Sequence, residues 1–244
     1  MKFKMIAEHL KQLTESDVWF NVDKKYEDQL VAHMENAINT IFRDKDYKKG
    51  LDELTQTTQL LRTIVSMGRL KEDITHSAQE FTSANTSINS SKLPAVFNLV
   101  QFTPDTINLD YGGGKFDNAA EFLATKNVIN LVYDPFNRSS SHNEDVLAKI
   151  KEHNGADSAT LSNVLNVIKE ESIREEVLNN IKQLIKPGAE LYITVYEGDK
   201  SEEGRETKAG YQLNRKTSSY LDEIIKIFGE GNVKQKGKLI IAKN

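Results

Sequence analysis

Three consecutive glycines, Gly112–Gly114, are the feature that most constrains the fold of this chain. They follow a short apolar segment, Thr106–Asp110, and they precede a helical pattern that opens with Asp117 at a plausible N-cap position. Glycines in such a turn let the backbone approach a ligand closely, and the next helix offers free N–H groups. The pattern predicts a ligand-binding turn between a strand and a helix; a plain tight turn is the alternative.

The segments around this turn alternate between strands and helices. Further strands are predicted at 128–133, from 159 towards 168, at 190–196 and at 238–242, with helices at 143–153, 170–185 and 220–228. Lys186-Pro187-Gly188 is expected to stop the helix that precedes the strand at 190. Alternation of this kind implies an α/β fold with a doubly wound, mostly parallel sheet.

The first 90 residues have a different pattern. Apolar residues recur at three- and four-residue intervals from 3 to 81 without a proline, which predicts three or four helices. The polar segment 82–92, rich in Ser and Asn, predicts a linker. We therefore expect two units, an all-helical region over 1–90 and an α/β domain over 93–244. The helical region is expected to act as a cap, a substrate contact or a homodimer contact.

Composition excludes several classes of function. The chain has no cysteine, so disulfides, cysteine zinc sites and thiolate nucleophiles are excluded, and its five histidines form no recognisable metal cluster. No segment approaches the roughly 20 apolar residues that span a bilayer, and the start lacks the apolar part of a signal peptide. We expect a soluble, cytoplasmic protein without a membrane partner. The net charge of -4 gives no indication of nucleic-acid binding, although a local basic patch could still supply it.

A second acidic residue strengthens the interpretation of the glycine turn. Asp134 closes the strand at 128–133, 24 positions after Asp110. In Rossmann sites, a carboxylate about 20 residues beyond the first turn accepts hydrogen bonds from ribose hydroxyls. The alternative for Asp134, which precedes Pro135, is an ordinary turn-starting residue.

With these residues in order, the chain resembles class I S-adenosylmethionine-dependent methyltransferases. The segment Asp110–Gly114 is similar to the family's first motif, in which the acid helps to bind the methionine part of the cofactor and the glycines pass beneath it. Asp134 matches the ribose-binding acid, and Pro135–Phe136 occupies the place from which the family contacts adenine. The resemblance implies S-adenosylmethionine as the cofactor and methyl transfer as the reaction.

Two later segments extend the resemblance. Residues 157–167, with Ser162 and Asn163, are similar to the family's fourth strand and its exit. Residues 184–194 are similar to the helix, the Lys-Pro-Gly turn and the fifth strand. The four matches cover about 106–197 in the right order. Cofactor-binding positions implied by the resemblance are Asp110, Gly112, Gly113, Gly114, Asp134, Pro135, Phe136, Asp157, Ser162 and Asn163.

The third strand of the family is expected to be reduced. The stretch between His153 and Leu161 is too short for a complete extra strand and helix, so the third strand is absent or fused with the fourth. Asp157 then has two assignments. It is either the acid that opens the fourth strand or the acid that meets the adenine amino group.

The methyl acceptor stays open between a small molecule and a nucleic acid. Tyr196 and Glu197 follow the fifth strand and, with Asn163, are the candidates for orienting the acceptor. The loop 197–219, 23 residues without clear secondary structure, is long enough for a binding lid, the alternative being a solvated surface loop. Its candidate substrate-binding residues are Arg205, Lys208 and Arg215, which could contact an acidic substrate.

Two other functions remain open at this point. The chain could be a non-catalytic interaction protein that keeps the methyltransferase scaffold, because a fold does not fix a function. It could also be an enzyme that cleaves S-adenosylmethionine rather than donating its methyl group. A cytosine ring-carbon methyltransferase of the usual kind is excluded, since it needs a cysteine nucleophile.

Overall fold

The computed structural model describes residues 24–69, 74–82, 92–208 and 210–244. The chain divides into two compact units, Met1–Asp73 and Ile74–Asn244. The segment 74–82, assigned to the helical region from its sequence pattern, therefore groups with the second unit. Most of the predicted linker at 82–92 lies outside the described residues.

The first unit contains two described helices, α1 (Lys24–Phe42) and α2 (Tyr47–Arg69). Ala37, Ile41 and Leu54 bury their side chains between them. The helices predicted before residue 24 lie outside the described residues, and 74–81 forms no helix. None of the described helices is long and apolar enough to cross a membrane.

The second unit is an α/β domain. Its strands are β1 (Thr106–Tyr111), β2 (Val128–Tyr133), β3 (Ala156–Ser162), β4 (Ile185–Thr194), β5 (Gly204–Thr207), β6 (Gly210–Leu213), β7 (Val233–Lys236) and β8 (Leu239–Lys243). Its helices are α3 (Val96–Leu99), α4 (Asn118–Ala124), α5 (Ser140–Glu152), α6 (Glu171–Leu184) and α7 (Leu221–Phe228).

The main sheet has the order β2-β1-β3-β4-β8-β7. The first four strands are parallel, β8 is antiparallel to β4, and β7 is antiparallel to β8. The predicted doubly wound and mostly parallel sheet is confirmed. The reduced third strand is confirmed as well, since α5 leads directly from β2 to β3 and no described strand pairs with the outer edge of β2.

The strand order locates the place where a ligand can bind. From β1 the chain crosses to β2 on one side, and from β3 it crosses to β4 on the other side. Open α/β sheets bind ligands in the crevice that such a reversal creates, outside the carboxyl ends of the strands. The crevice of this sheet lies between β1 and β3, where Gly112–Gly114 and Ser162–Asn163 leave the sheet.

Several predicted boundaries are wrong, each for a local reason. β3 ends at Ser162, because Asn163 adopts a left-handed φ of 57° and a 3-10 turn follows at Leu165–Val167. Lys186-Pro187-Gly188 lies inside β4, where the pairing with β3 shifts register and Gly188 has a φ of 85°. The loop predicted at 197–219 contains the hairpin β5–β6 and a 3-10 turn.

One face of the sheet is covered by α3 and α4. Val96 and Phe97 of α3 and Leu123 of α4 are buried together with Val128 and Ile241 of the sheet. On the other face α6 contacts α7 and β4. The right-handed rule for parallel crossovers requires this arrangement, because α4 and α6 belong to connections that run in opposite directions along the sheet.

Candidate functional site

The glycine turn leaves the carboxyl end of β1 as a tightly enclosed loop. Gly112 and Gly114 have φ of 73° and 77°, a backbone region that favours glycine. A Cβ at Gly112 would lie 2.5 Å from Val164, and one at Gly113 would lie 2.5 Å from the carboxylate of Asp110. Close approach therefore requires glycine at Gly112 and Gly113, and the backbone conformation favours it at Gly112 and Gly114.

The Asp134 carboxylate ties this turn to the end of β2. Its Oδ2 accepts a hydrogen bond from the Gly114 N–H at 2.9 Å, and its Oδ1 accepts from the N–H groups of Phe136 and Asn137, both at 2.9 Å. The side chain is buried, yet it borders the cavity described below. Nδ2 of Asn137 also donates, at 3.2 Å to Oδ1 and at 3.3 Å to Oδ2, and these longer hydrogen bonds are the ones that a further donor could replace.

Arg138 is the second group that shapes the turn, and the sequence interpretation missed it. Its Nε donates to the Gly114 carbonyl at 2.7 Å, and its Nη2 donates to the Phe116 carbonyl at 3.0 Å and to Asp117 Oδ1 at 2.7 Å. Asp117 occupies the N-cap position of α4 as predicted, but its carboxylate accepts no capping hydrogen bond and pairs with Arg138 instead. A guanidinium is suited to this task because it presents several donors in one rigid plane.

Asp110 lies beneath the turn rather than in the cavity. Its Oδ1 accepts a hydrogen bond from Thr160 Oγ1 at 2.9 Å, and only 2% of the residue is exposed. Burial raises the pKa of Asp110 to about 6, against the opposing effect of the Thr160 hydrogen bond. The Asp110 carboxyl group therefore changes its charge near neutral pH.

We expect the stability of the protein to report this titration. Because the folded pKa of Asp110 lies above the unfolded value of about 3.9, its contribution is fully present below about pH 4 and is lost as the pH rises to about 6. The free energy of unfolding of the wild type, relative to Asp110→Asn, should fall by about 2 kcal/mol between pH 4 and pH 7. Urea denaturation at a series of pH values measures this difference, and parallel curves for the two proteins would count against it.

A cavity opens over the carboxyl ends of β1, β2 and β3. The described residues that line it include no lysine and no arginine. They are His76, Gln79, Tyr111, Gly112, Gly114, Asp134, Pro135, Phe136, Asn137, Ser162, Asn163, Val164, Val167, Ile168 and Val177.

An aromatic cluster of Tyr111, Tyr133 and His76, of which Tyr111 and His76 line the cavity, was not predicted. Tyr111 and Tyr133 end neighbouring parallel strands in register, so their rings lie side by side with centroids 5.0 Å apart. The Tyr133 Oη lies 2.5 Å from Nε2 of His76, and the two rings stack at 5.8 Å. Register could have placed the two tyrosines together, but nothing in the sequence indicates that His76 joins them.

Most of the cofactor-binding residues implied by the resemblance meet at this cavity. Gly112, Gly114, Asp134, Pro135, Phe136, Ser162 and Asn163 line it. Asp157 does not: it lies near the start of β3, where its carboxylate accepts from the Ile107 N–H at 2.9 Å and pairs with Lys186 at 2.7 Å. This end of the sheet is opposite to the cavity, and of the two assignments of Asp157 the position fits the strand-opening acid.

The candidates for orienting the acceptor are only partly assembled. Asn163 lines the cavity, whereas Tyr196 and Glu197 do not, and Tyr196 is 62% exposed. Glu197 Oε1 accepts from the N–H of Thr217 at 2.9 Å and from its hydroxyl at 3.0 Å. These hydrogen bonds lower the pKa of Glu197 to about 2, which makes its carboxylate a weak proton acceptor.

The three basic residues predicted to bind substrate do not converge. Arg215 pairs with Glu223 at 2.8 Å and lies over the Tyr220 ring, so its charge is used within the fold. Arg205 pairs with Asp199 at 3.7 Å with its side chain 64% exposed, and Lys208 is exposed. None of the three borders the cavity. Among the described residues there is also no group of three or more histidine, aspartate or glutamate side chains that could hold a metal ion.

Comparison with known proteins gives no match to any family model and no match to a curated protein. Among solved structures, the chain is similar to the 1,6-didemethyltoxoflavin-N1-methyltransferase of Burkholderia thailandensis, with 14% identity, a TM-score of 0.42 and coverage of 58% of this chain and 72% of that one. It is similar to PigF, solved with SAH, with 14% identity, a TM-score of 0.44 and coverage of 96% and 72%. The pyocyanin biosynthetic protein PhzM has 15% identity, a TM-score of 0.40 and coverage of 61% and 53%.

Proposed function

We propose that this chain binds S-adenosylmethionine in the cavity and transfers its methyl group to a small-molecule acceptor. The observation that carries the proposal is the hydrogen bond from the Gly114 N–H to the Asp134 carboxylate, in a lining whose described residues include no lysine or arginine. The N–H groups of glycine turns bind phosphates in dinucleotide sites. Here such an N–H already holds a carboxylate, which would repel a pyrophosphate.

The site residues fit a cofactor that is cationic and free of phosphate. Asp134 can accept from a ribose hydroxyl in place of the long hydrogen bond from Asn137 Nδ2, and Pro135 and Phe136 supply apolar surface for a base beside it. Val164 and Val167 supply further apolar surface from the β3–α6 connection. S-adenosylmethionine, when bound, supplies an electrophilic methyl group on a sulfonium.

The chain's own contribution to methyl transfer is proposed to be alignment. Asn163 is fixed by its backbone, because its N–H donates to the Thr194 carbonyl at 2.8 Å and its φ is 57°. Its side chain is the best-placed amide for orienting an acceptor at the cavity, and holding the acceptor in line supplies much of the catalysis in such reactions. The predicted orienting roles of Tyr196 and Glu197 stay predictions.

A small molecule is the acceptor class that the cavity supports. The three basic residues that could have contacted a nucleic-acid backbone lie apart from the cavity, and Arg215 is already paired with Glu223. A nucleic-acid acceptor would need cationic side chains at the entrance to hold phosphates. We therefore propose that the acceptor is a compact molecule without phosphate groups.

Calorimetric titration tests the cofactor. S-adenosylhomocysteine should bind saturably and, at 100 times its Kd, should stabilise the protein by about 2.7 kcal/mol. NAD⁺ is the matched control, because it shares the adenosine group but carries a pyrophosphate, and it should give no heat at the same concentration. Tighter binding of NAD⁺ than of S-adenosylhomocysteine would refute the proposal.

Methyl transfer is tested separately with S-adenosylmethionine carrying a labelled methyl group. Incubation with a metabolite pool should place the label in small molecules, and mass spectrometry should identify the methylated product. Label in the nucleic-acid fraction would overturn the acceptor class. Loss of cofactor without any methylated product would instead indicate a cleaving enzyme.

A further inference from the structure

The segment Ile74–Thr82, called the strap below, belongs to the α/β unit and contains no helix or strand. Among the described residues, no backbone–backbone hydrogen bond joins it to the rest of the domain. It is held by side chains of α6 and the residue before it. Glu176 accepts from the Ser77 N–H at 2.8 Å, Asn180 donates to the Thr75 carbonyl at 2.8 Å, and Glu170 accepts from the Glu80 N–H at 2.9 Å.

The far end of the strap is attached in the same way. Glu80 pairs with Lys169 at 2.6 Å, and Phe81 stacks on Tyr211 of the β5–β6 hairpin at 5.6 Å. Lys169 also lies over the Phe81 ring at 5.5 Å. These contacts are single side-chain hydrogen bonds, ion pairs and ring contacts, most of them at the surface, so the strap can detach without breaking the sheet or its helices.

The strap supplies two residues to the cavity, His76 and Gln79. His76 meets Tyr133, which directly precedes the proposed ribose-binding Asp134, so the strap borders the end of the cavity formed by β2 and the residues after it. Desolvation lowers the pKa of His76, so the imidazole is neutral at neutral pH and does not oppose a cationic ligand. A neutral imidazole and an amide can both hydrogen bond or stack on an uncharged base.

We propose that the strap is a lid over the nucleoside part of the cofactor, with His76 and Gln79 in contact with the ligand and Glu176 as its main latch. The inference rests on the proposed function. The cavity cannot exchange a ligand freely while the strap is attached, so detachment limits the rate at which cofactor enters and leaves. The latch is in α6, whose amino end follows the β3 exit that also lines the cavity.

Hydrogen exchange of the unliganded protein tests the latch. In Glu176→Ala the strap loses the acceptor for both the N–H and the hydroxyl of Ser77, so peptides covering 74–82 should exchange at least 10-fold faster than in the wild type. Glu175→Ala is the matched control: it removes the neighbouring carboxylate of the same helix, which pairs with Lys226 instead of the strap. Equal exchange in Glu176→Ala and Glu175→Ala would overturn the latch.

Dissociation of two ligands, followed by surface plasmon resonance, tests the lid. S-adenosylhomocysteine should leave Glu176→Ala and His76→Ala about 10-fold faster than the wild type and Glu175→Ala. 5′-Methylthioadenosine, which has the nucleoside but no amino acid part, should be released faster by the same factor. Acceleration for S-adenosylhomocysteine alone would place the strap over the amino acid end and overturn the proposal, as would unchanged rates for both ligands. If the wild type binds neither ligand, the proposed function has failed; if it binds both and the variants match it, only the lid has failed.

Discussion

Replacing Asp134 with alanine should abolish measurable binding of S-adenosylhomocysteine, with Kd at least 100-fold weaker than in the wild type. The substitution removes the proposed ribose acceptor and also the acceptor of the N–H groups of Gly114, Phe136 and Asn137. A 100-fold change corresponds to about 2.7 kcal/mol, which one lost charge-assisted hydrogen bond and a relaxed turn can together supply. Calorimetry at a temperature well below the melting transition measures it.

The same substitution should lower stability, so a matched variant is needed to separate binding from folding. Each buried N–H left without an acceptor costs about 1–3 kcal/mol. Asp157→Ala removes a carboxylate that also accepts a backbone N–H and also lies in the sheet, but at the edge opposite to the cavity. It should be destabilised while its Kd stays within about 2-fold of the wild type.

Asp134→Asn gives a finer test of the ribose assignment. The amide keeps one oxygen and the shape of the side chain, but it loses the charge and replaces one acceptor by a donor. Because Oδ1 and Oδ2 both accept backbone N–H groups here, one of these hydrogen bonds must be lost. Binding should be intermediate between that of the wild type and that of Asp134→Ala. Wild-type affinity in Asp134→Ala would move the ribose contact to another residue.

The sequence predicted which residues meet at the cavity where their positions depend only on local geometry. A glycine turn after one strand, an acid after the next strand and Ser162–Asn163 after the third must meet, because parallel strands place their carboxyl ends at one edge. Asp157 shows the limit of this reasoning. An acid at the start of a strand lies at the opposite edge of the sheet from the cavity. Because the sequence defines a strand boundary only to within a few residues, it does not decide at which edge Asp157 lies.

The rest of the site depends on contacts between distant segments. His76 meets Tyr133 across 57 positions, and Ser77 meets Glu176 across 99. Such pairings follow from how the strap crosses α6, which no periodicity in the sequence encodes. Arg215 is another contact of this kind. It was predicted to bind substrate in a lid, but it pairs with the buried carboxylate of Glu223. The sequence pattern predicts that Glu223 is on a helix, but it does not predict its partner.

The second large effect that we expect is a loss of stability on substitution of Glu223. Glu223 of α7 accepts from Nε and Nη2 of Arg174 at 2.7 and 3.0 Å, and from Arg215 at 2.8 Å. Arg174 in turn donates to the carbonyls of Ile168 and Lys169, which ties the end of the β3–α6 connection to both helices. Burial alone would raise the pKa of Glu223, but the hydrogen bonds from the two arginines outweigh it and the pKa is lowered.

Glu223→Gln should lower the free energy of unfolding by about 3–5 kcal/mol, because it leaves the buried Arg174 guanidinium without a counter-charge. Urea denaturation at pH 7 measures the loss, and Glu175→Ala, which breaks the exposed pair with Lys226, should cost no more than about 1 kcal/mol. Since the folded pKa of Glu223 is depressed, the wild type should lose its advantage over Glu223→Gln as the pH falls below the unfolded value of about 4.3.

A double variant separates the pairing from the cost of burying charge. Arg174→Met with Glu223→Met removes both buried charges, and it should be more stable than Glu223→Met alone, since an unpaired buried charge costs more than a lost ion pair. Arg215 is partly exposed and keeps Glu202 at 3.9 Å as a second partner, so it adds little to this difference. If Glu223→Met and the double variant unfold at the same urea concentration, Arg174 reaches solvent in the single variant, and the network is a surface feature rather than part of the core.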